Sequence, residues 1–314
     1  MSSTTKGYLC GVVAAVSYGT NPLGALWLYE DGLTPNSVLL YRFAVGAALL
    51  ALMLAARRTS FALTVSEAKV IGALGLLFAA SSITYYYSFK FMAAGLASTI
   101  LFFYPVMVAV IMAVFYGERV TRSTVTAILL SLAGIALLYR GDGTSTLSLT
   151  GMTLIIVSAL TYAVYIVVLN RSHVRLSSVK LTLYVLLICA LANALWIAAD
   201  PGSAFQWLPT PRSWLCALGL GLLPTVLSLV MMAVAVKHVG STPTAIMGAL
   251  EPLTAVLIGV GVFGETLTPR LAAGIMLILS AVIIIVVGRR LSVAQVTAWV
   301  NRMGRRVVKH WRWR

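Results

Sequence analysis

Ten stretches of this chain are each long and apolar enough to cross a bilayer as a helix. They run over 7–29, 35–56, 69–89, 95–116, 123–140, 150–169, 178–199, 213–236, 242–263 and 270–288. About 20 predominantly apolar residues span the hydrocarbon core, and a segment in lipid must satisfy its own backbone hydrogen bonds, as a helix does. The polar balance leaves no other class open. The 314 residues are 60% hydrophobic and 10% charged, whereas soluble domains carry roughly 25% charged residues. Such a chain cannot coat a soluble surface, and it is too apolar to be disordered. The expectation is an all-α polytopic membrane protein.

The formal charge of +15 would suggest nucleic acid on a soluble chain. Sorted onto ten spans it reads as topology. With the N-terminus cytoplasmic, 18 basic residues fall on that side: Lys6, Arg57, Arg58, Lys69, Arg119, Arg122, Arg171, Arg175, Lys180, Lys237 and eight after residue 288. Lys90, Arg140, Arg212 and Arg270 fall outside, and Arg42 lies within a span. Lys and Arg collect in cytoplasmic loops, so both termini are placed in the cytoplasm and the protein in the inner membrane, with no nucleic-acid partner. The first span is too long for a signal core, and its Ser17-Tyr18-Gly19-Thr20-Asn21-Pro22 patch marks it as a retained, functional span. Cys10, Cys189 and Cys216 are scattered and carry no redox pattern. After Gly288, valines at three- and four-residue steps alternate with Arg and Lys, which suits a helix on an anionic lipid surface.

An offset of 147 residues lays spans four and nine over one another. Residues 87–122 against 234–269 share six identities in 36 ungapped positions: Lys90/Lys237, Pro105/Pro252, Ile111/Ile258, Gly117/Gly264, Glu118/Glu265 and Thr121/Thr268. Lys, Pro and Gly-Glu matches are informative because these types are scarce in membrane sequence. Each half holds five spans, and an odd number forces the second half to enter the bilayer from the opposite side. The expected units are 1–143, an inverted copy over 144–288, and a basic tail over 289–314. Inverted repeats characterise many secondary transporters. The chain has no phosphate-loop signature, so a gradient, with protons as a candidate, would drive transport.

Tyr104-Pro105…Gly117-Glu118-Arg119-Val120-Thr121 and Glu251-Pro252…Gly264-Glu265-Thr266-Leu267-Thr268, with Tyr41-Arg42-Phe43 in span two, resemble the drug/metabolite transporter superfamily, EamA type. The resemblance covers 7–288. It implies ten helices around a central cavity lined by spans one to four and six to nine, with spans five and ten packed outside. It also implies export of amino acids or similar small metabolites, and the bacterial exporters of aromatic, methionine and threonine-like amino acids look nearest. Export of drugs or other metabolites on the same fold is the alternative. Where the aromatic branch need not carry a carboxylate before the ninth-span proline, this chain has Glu251.

Glu251 is the only acidic residue deep inside a span, and a mid-membrane carboxylate is costly unless paired, protonated or wetted. It is the first candidate for binding a substrate amine or coupling to protons; the alternative is a partner for backbone freed by Pro252. Tyr104 is its repeat mate, with Phe102 alongside. Ser81, Ser82, Tyr85 and Ser88 form a polar stripe at helical spacing in span three, from which Ser81, Ser82 and Tyr85 are candidate lining. Tyr18 and Asn21 in span one and Tyr162 in span six complete the candidate substrate-binding set. Pro105, Pro252, Pro22 and Pro224 are candidate kinks or gates. Arg42 has two readings, an ion pair with Glu30 or Asp31, or a contact to a substrate carboxylate. No cofactor is called for, and no metal-ligand cluster occurs. An embedded enzyme would need histidines or paired carboxylates within the spans, which this chain lacks, and a channel does not need an inverted repeat. The predicted mechanism is alternating access, with substrate between spans three, four, eight and nine.

Overall fold

The computed structural model describes residues 3–117, 122–139, 148–172, 176–199, 205–239, 244 and 247–284; Glu118, Thr121 and the basic tail lie outside this set. Among the described residues every regular element is a helix. Seven are long and apolar enough to cross a membrane, and Thr124–Leu137, Leu250–Phe263 and Pro269–Ile284 are shorter apolar helices. They fall where the ten apolar stretches lie, and their lipid-length faces carry exposed Leu129, Leu191, Leu195 and Leu257.

Local chemistry sets the helix ends. Thr34 caps span two, Pro35–Ala56, by accepting from the Ser37 N–H, and Pro35 sits where no intrahelical donor is needed. Thr64 and Glu67 form a reciprocal capping box at the start of span three, Val65–Ser88. Gly117 and Gly264 close spans four and nine in the left-handed region, at φ 65° and 67°. Their N–H groups bond to the carbonyls of Met112 and Gly259. These pairs obey the 147-residue offset, so the repeat extends to backbone geometry.

Four spans are interrupted at mid-length. Span one breaks at Thr20 into Ser3–Gly19 and Asn21–Glu30, and Pro22 occupies the first turn of the second piece. Span four breaks at Phe102 and Phe103 into Ala94–Leu101 and Tyr104–Tyr116, again with a proline, Pro105, in the restarting turn. Span nine restarts at Leu250 with Pro252 likewise placed. Span eight passes through a π-helical turn, Gly221–Leu227, around Pro224. Prolines are tolerated at such restarts because the first turn leaves its N–H groups free anyway.

The halves interdigitate in a pattern that follows the repeat. Span three packs on span six, and span one on span eight; exchanging the halves turns one contact into the other. Spans two and seven pack together, as do spans four and nine, and each pair maps onto itself. Spans five and ten also meet, with Gly134 against Ile278 and the Gly274 carbonyl. A Cβ at Gly75 would lie 2.6 Å from Ile188 of span seven, and one at Gly7 2.6 Å from Val239 at the end of span eight, so glycine lets span three close on span seven and span one on span eight. The largest apolar core joins spans one, two, three, six and seven through Leu28, Phe43, Leu74, Ile155 and Leu186, all 2% exposed or less.

Candidate functional site

The interruptions converge. A cavity of about 150 Å³ is walled by Tyr18 and Gly19 from span one, Tyr85 from span three, and Ser98, Leu101, Phe102 and Tyr104 from span four. Tyr162 of span six, Ser228, Leu229 and Met232 of span eight, and Glu251, Pro252 and Ala255 of span nine complete it. All four interrupted spans thus contribute residues from next to their breaks. Spans five and ten contribute none of these residues.

Glu251 is the acidic group of this cavity. Its backbone N–H bonds to the Gly248 carbonyl. Among the described residues its carboxyl has no hydrogen-bond or ion-pair partner. A bond from this carboxyl to backbone freed by Pro252, the alternative role, is not formed among the described residues. Span one approaches at Gly19, where a Cβ would lie 2.6 Å from the Glu251 carbonyl oxygen. The opposite wall is aromatic. Tyr104 and Tyr162 meet edge to face at 4.7 Å, and Phe102 meets Tyr104 at 6.0 Å. Aromatic walls with a few convergent polar groups are the usual make-up of a small-molecule site.

The three consecutive tyrosines of span three separate as helical geometry requires. Tyr85 lines the cavity, its hydroxyl 2.6 Å from that of Ser98. Tyr86 is fully buried and donates to Asn21 Oδ1 at 3.0 Å. Tyr87 accepts from Asn36 at 3.0 Å and lies 5.8 Å from the Lys90 ammonium.

The other candidates fall outside the main cavity. Ser81 and Ser158 exchange hydrogen bonds with one another's carbonyls at 3.0 and 2.8 Å, which ties span three to span six. Ser82 is buried beside this tie and does not line the cavity. Asn21 stabilises the break in span one by donating to the Tyr18 carbonyl at 2.7 Å. Pro22 and Pro105 do not wall the cavity either, while Pro224 lines a smaller chamber described next.

Arg42 corrects one expectation. The ion pair with Glu30 or Asp31 is not formed: Glu30 pairs with Arg212 at 2.8 Å, and Asp31 accepts from Ser213 at 2.6 Å. Arg42 turns inward instead and is 3% exposed. Its Nε donates to Thr225 Oγ1 and its Nη1 to the Tyr86 hydroxyl, both at 3.0 Å. Thr225 is available because the wide π turn lets its hydroxyl also reach the Leu220 carbonyl at 2.9 Å. Arg42 lines a second chamber of about 70 Å³, which shares Tyr18, Tyr162 and Leu229 with the main cavity. Sequence reading missed Tyr86, Thr225 and Ser98, which look like ordinary span residues until the fold brings them together.

At the end of the bundle that carries Glu30, Lys90 and Glu265, span nine holds span four. Glu265 accepts from the N–H groups of Ala94 and Gly95 at 2.8 and 3.4 Å, across the two halves. Burial pushes this carboxyl above the ordinary carboxylate range, against the opposing pull of the two N–H groups. The seat exists because Gly259 has no side chain: a Cβ there would lie 2.1 Å from Glu265 Oε2.

The EamA-like transporter family model matches this chain twice, over residues 5–140 and 149–287. The chain belongs to the EamA-like transporter family. It is a multi-pass membrane transporter of the drug/metabolite type, and the two matched segments meet between spans five and six. An uncharacterized transporter of Archaeoglobus fulgidus is 33% identical over 189 residues, 60% of this chain and 66% of that one. The chain thus spans just under two thirds of that relative's length. The uncharacterized transporter YdfC of Bacillus subtilis is 26% identical over 73% of this chain and 74% of its own. A crystal structure of a protein 22% identical superimposes with a TM-score of 0.66, covering 91% of this chain and 99% of that one. At that identity it speaks for the fold of this EamA-like transporter alone.

Proposed function

We propose that this EamA-like transporter exports amino acids or similar small metabolites from the cytoplasm by alternating access, with both termini cytoplasmic and Glu251 receiving the cargo's ammonium group. The carrying observation is the Glu251 carboxyl, which faces an aromatic cavity from mid-span with no partner among the described residues. A carboxylate in that position is costly until a cation, a proton or water meets it. Tyr104, Tyr162, Tyr85 and Phe102 offer apolar area to an aromatic, methionine-like or threonine-like side chain. A cavity of about 150 Å³ suits a small metabolite better than a drug-sized ligand, whose pockets run to roughly 300–1,000 Å³. In this orientation Glu265 holds spans four and nine together on the outer side. The chain acts as a carrier and not as an enzyme, and protons are its proposed coupling ion.

The test is counterflow of radiolabelled phenylalanine, methionine and threonine in proteoliposomes, with and without a pH gradient. Saturable counterflow of at least one is expected. Glu251→Gln should lower it roughly tenfold or more, as a hydrogen bond to a charged group is worth about 1.5–3 kcal/mol, and should flatten its response to the gradient. Wild-type protein that carries none of the three refutes the cargo class. A Gln variant indistinguishable from wild type in rate and pH response refutes the role of Glu251.

A further inference from the structure

We infer that Arg42 is the carboxylate-reading pole of the transport site, so that the cargo must carry an anionic group as well as an ammonium. This deepens the amino-acid reading above and rests on it. Three observations carry it.

The first is that Arg42 is a buried cation without a counter-charge. It is 3% exposed, and no carboxylate among the described residues pairs with it. The groups that accept from it, Thr225, Tyr86 and Tyr18, are neutral hydroxyls. A buried charge ordinarily needs an opposite one, because neutral contacts do not repay its desolvation. The two nearest acids of this stretch, Glu30 and Asp31, are engaged elsewhere, with Arg212 and Ser213.

The second is where the guanidinium lies. Its chamber adjoins the main cavity and shares Tyr18, Tyr162 and Leu229 with it. Tyr18 is common to both: its ring centre is 6.0 Å from the guanidinium carbon, and the same residue walls the cavity that holds Glu251. A cation and an anion thus border the same tyrosine.

The third is that the guanidinium is aimed. Nε is fixed by the hydroxyl that the π turn presents, and Nη1 by the hydroxyl that Asn21 orients through Tyr86. A planar guanidinium held at two of its nitrogens has a fixed orientation, and Arg binds carboxylates with geometric specificity.

Transport sites discriminate by the groups they leave unpaired. A site built to bond a charged group rejects an analogue that lacks it far better than an apolar pocket rejects an extra methylene. Amines and esters of the same side chain should therefore be poor cargo.

The test is competition against radiolabelled phenylalanine counterflow in proteoliposomes of the full chain. Competitors are unlabelled phenylalanine, its methyl ester and phenylalaninol, which keep the ammonium and ring and lack the carboxylate. The free acid should compete at concentrations at least about tenfold lower than either analogue. In Arg42→Gln the three should compete within about twofold of one another, and Arg42→Lys should restore part of the preference. The wild-type ratio needs no variant, so a Gln form that fails to fold leaves the inference testable. Wild-type counterflow for which acid, ester and alcohol compete equally overturns the reading of Arg42 while the amino-acid function stands. Wild-type protein that carries none of phenylalanine, methionine and threonine overturns the function and this inference together.

Discussion

Replacing Gly259 by alanine should unseat Glu265 and loosen the join between the two halves. The new Cβ would lie 2.1 Å from Glu265 Oε2 and 2.6 Å from its carboxyl carbon. Those atoms end a flexible side chain, so the clash is relieved by moving it, and the cost is what the carboxyl gives up. It gives up the Ala94 N–H at 2.8 Å and the longer Gly95 contact at 3.4 Å. A charge-assisted bond is worth about 1.5–3 kcal/mol, and a carboxylate at a helix N-terminus a further 0.3–1 kcal/mol or so. Water reclaims part of this for a group only partly buried, and alanine favours the helix by about 0.5–1 kcal/mol over glycine. A net loss of about 2 kcal/mol follows. At roughly 2–4 °C per kcal/mol for chains of this order, melting in detergent should fall by on the order of 4 °C, compared at one scan rate. Gly261→Ala is the control. That residue shares the helix and has nothing within 4 Å of its would-be Cβ, so it should be neutral or slightly stabilising. Glu265→Ala should cost about as much as Gly259→Ala, and the double variant little more than either, because both remove one seat. Full additivity, or a Gly259 variant that behaves like the Gly261 one, refutes the argument.

Three other outcomes follow from the same geometry. Tyr86→Phe removes the hydroxyl between Asn21 and Arg42 and leaves a buried guanidinium short of an acceptor, which should cost about 1–3 kcal/mol of stability; an unchanged melting temperature would contradict it. Ser81→Ala should lower stability by about 0.6 kcal/mol, the average for a hydrogen bond between membrane helices, without changing the order of preferred competitors in counterflow. Glu265→Gln mimics the protonated clasp. The folded-state pKa of Glu265 is raised, so the folded protein holds that proton more tightly than the unfolded chain does. Wild-type stability relative to the Gln variant is therefore best in acid and is lost as pH rises from the unfolded pKa, near 4.5, through the folded one. Melting of the two proteins between pH 4.5 and 7.5 checks the sign, and a wild type that gains on the variant with rising pH refutes it.

Apolar run length and the repeat made the fold legible, because lipid imposes both: a span must be long enough, and an odd number of spans inverts the copy. The prolines marked places where helices restart, since a missing N–H costs nothing in a first turn. The polar stripe of span three was harder. Ser81 and Tyr85 share a helical face, yet the first meets span six and the second meets Ser98 of span four, so facing alone does not distinguish glue from lining. Arg42 was half legible. Its isolation in an apolar run drew notice, but its partners come from Thr225, 183 residues away, and from Tyr86. No local pattern announces a contact that depends on a widened turn in another span.

That widened turn also bears on how the length of span eight can vary. Within an ordinary helix, removing one residue rotates everything beyond it by about 100°, which in a membrane turns lipid-facing side chains inward. A π-helical turn holds slack of about one residue. A deletion within 221–227 can tighten it to α-helical pitch and leave Ser228, Leu229 and Met232 on the faces they now occupy. The cavity wall would survive, while the hydroxyl of Thr225 would move off Arg42. Mid-membrane chain length is thus negotiable at this one place in span eight, and the guanidinium contact is what such a change would forfeit.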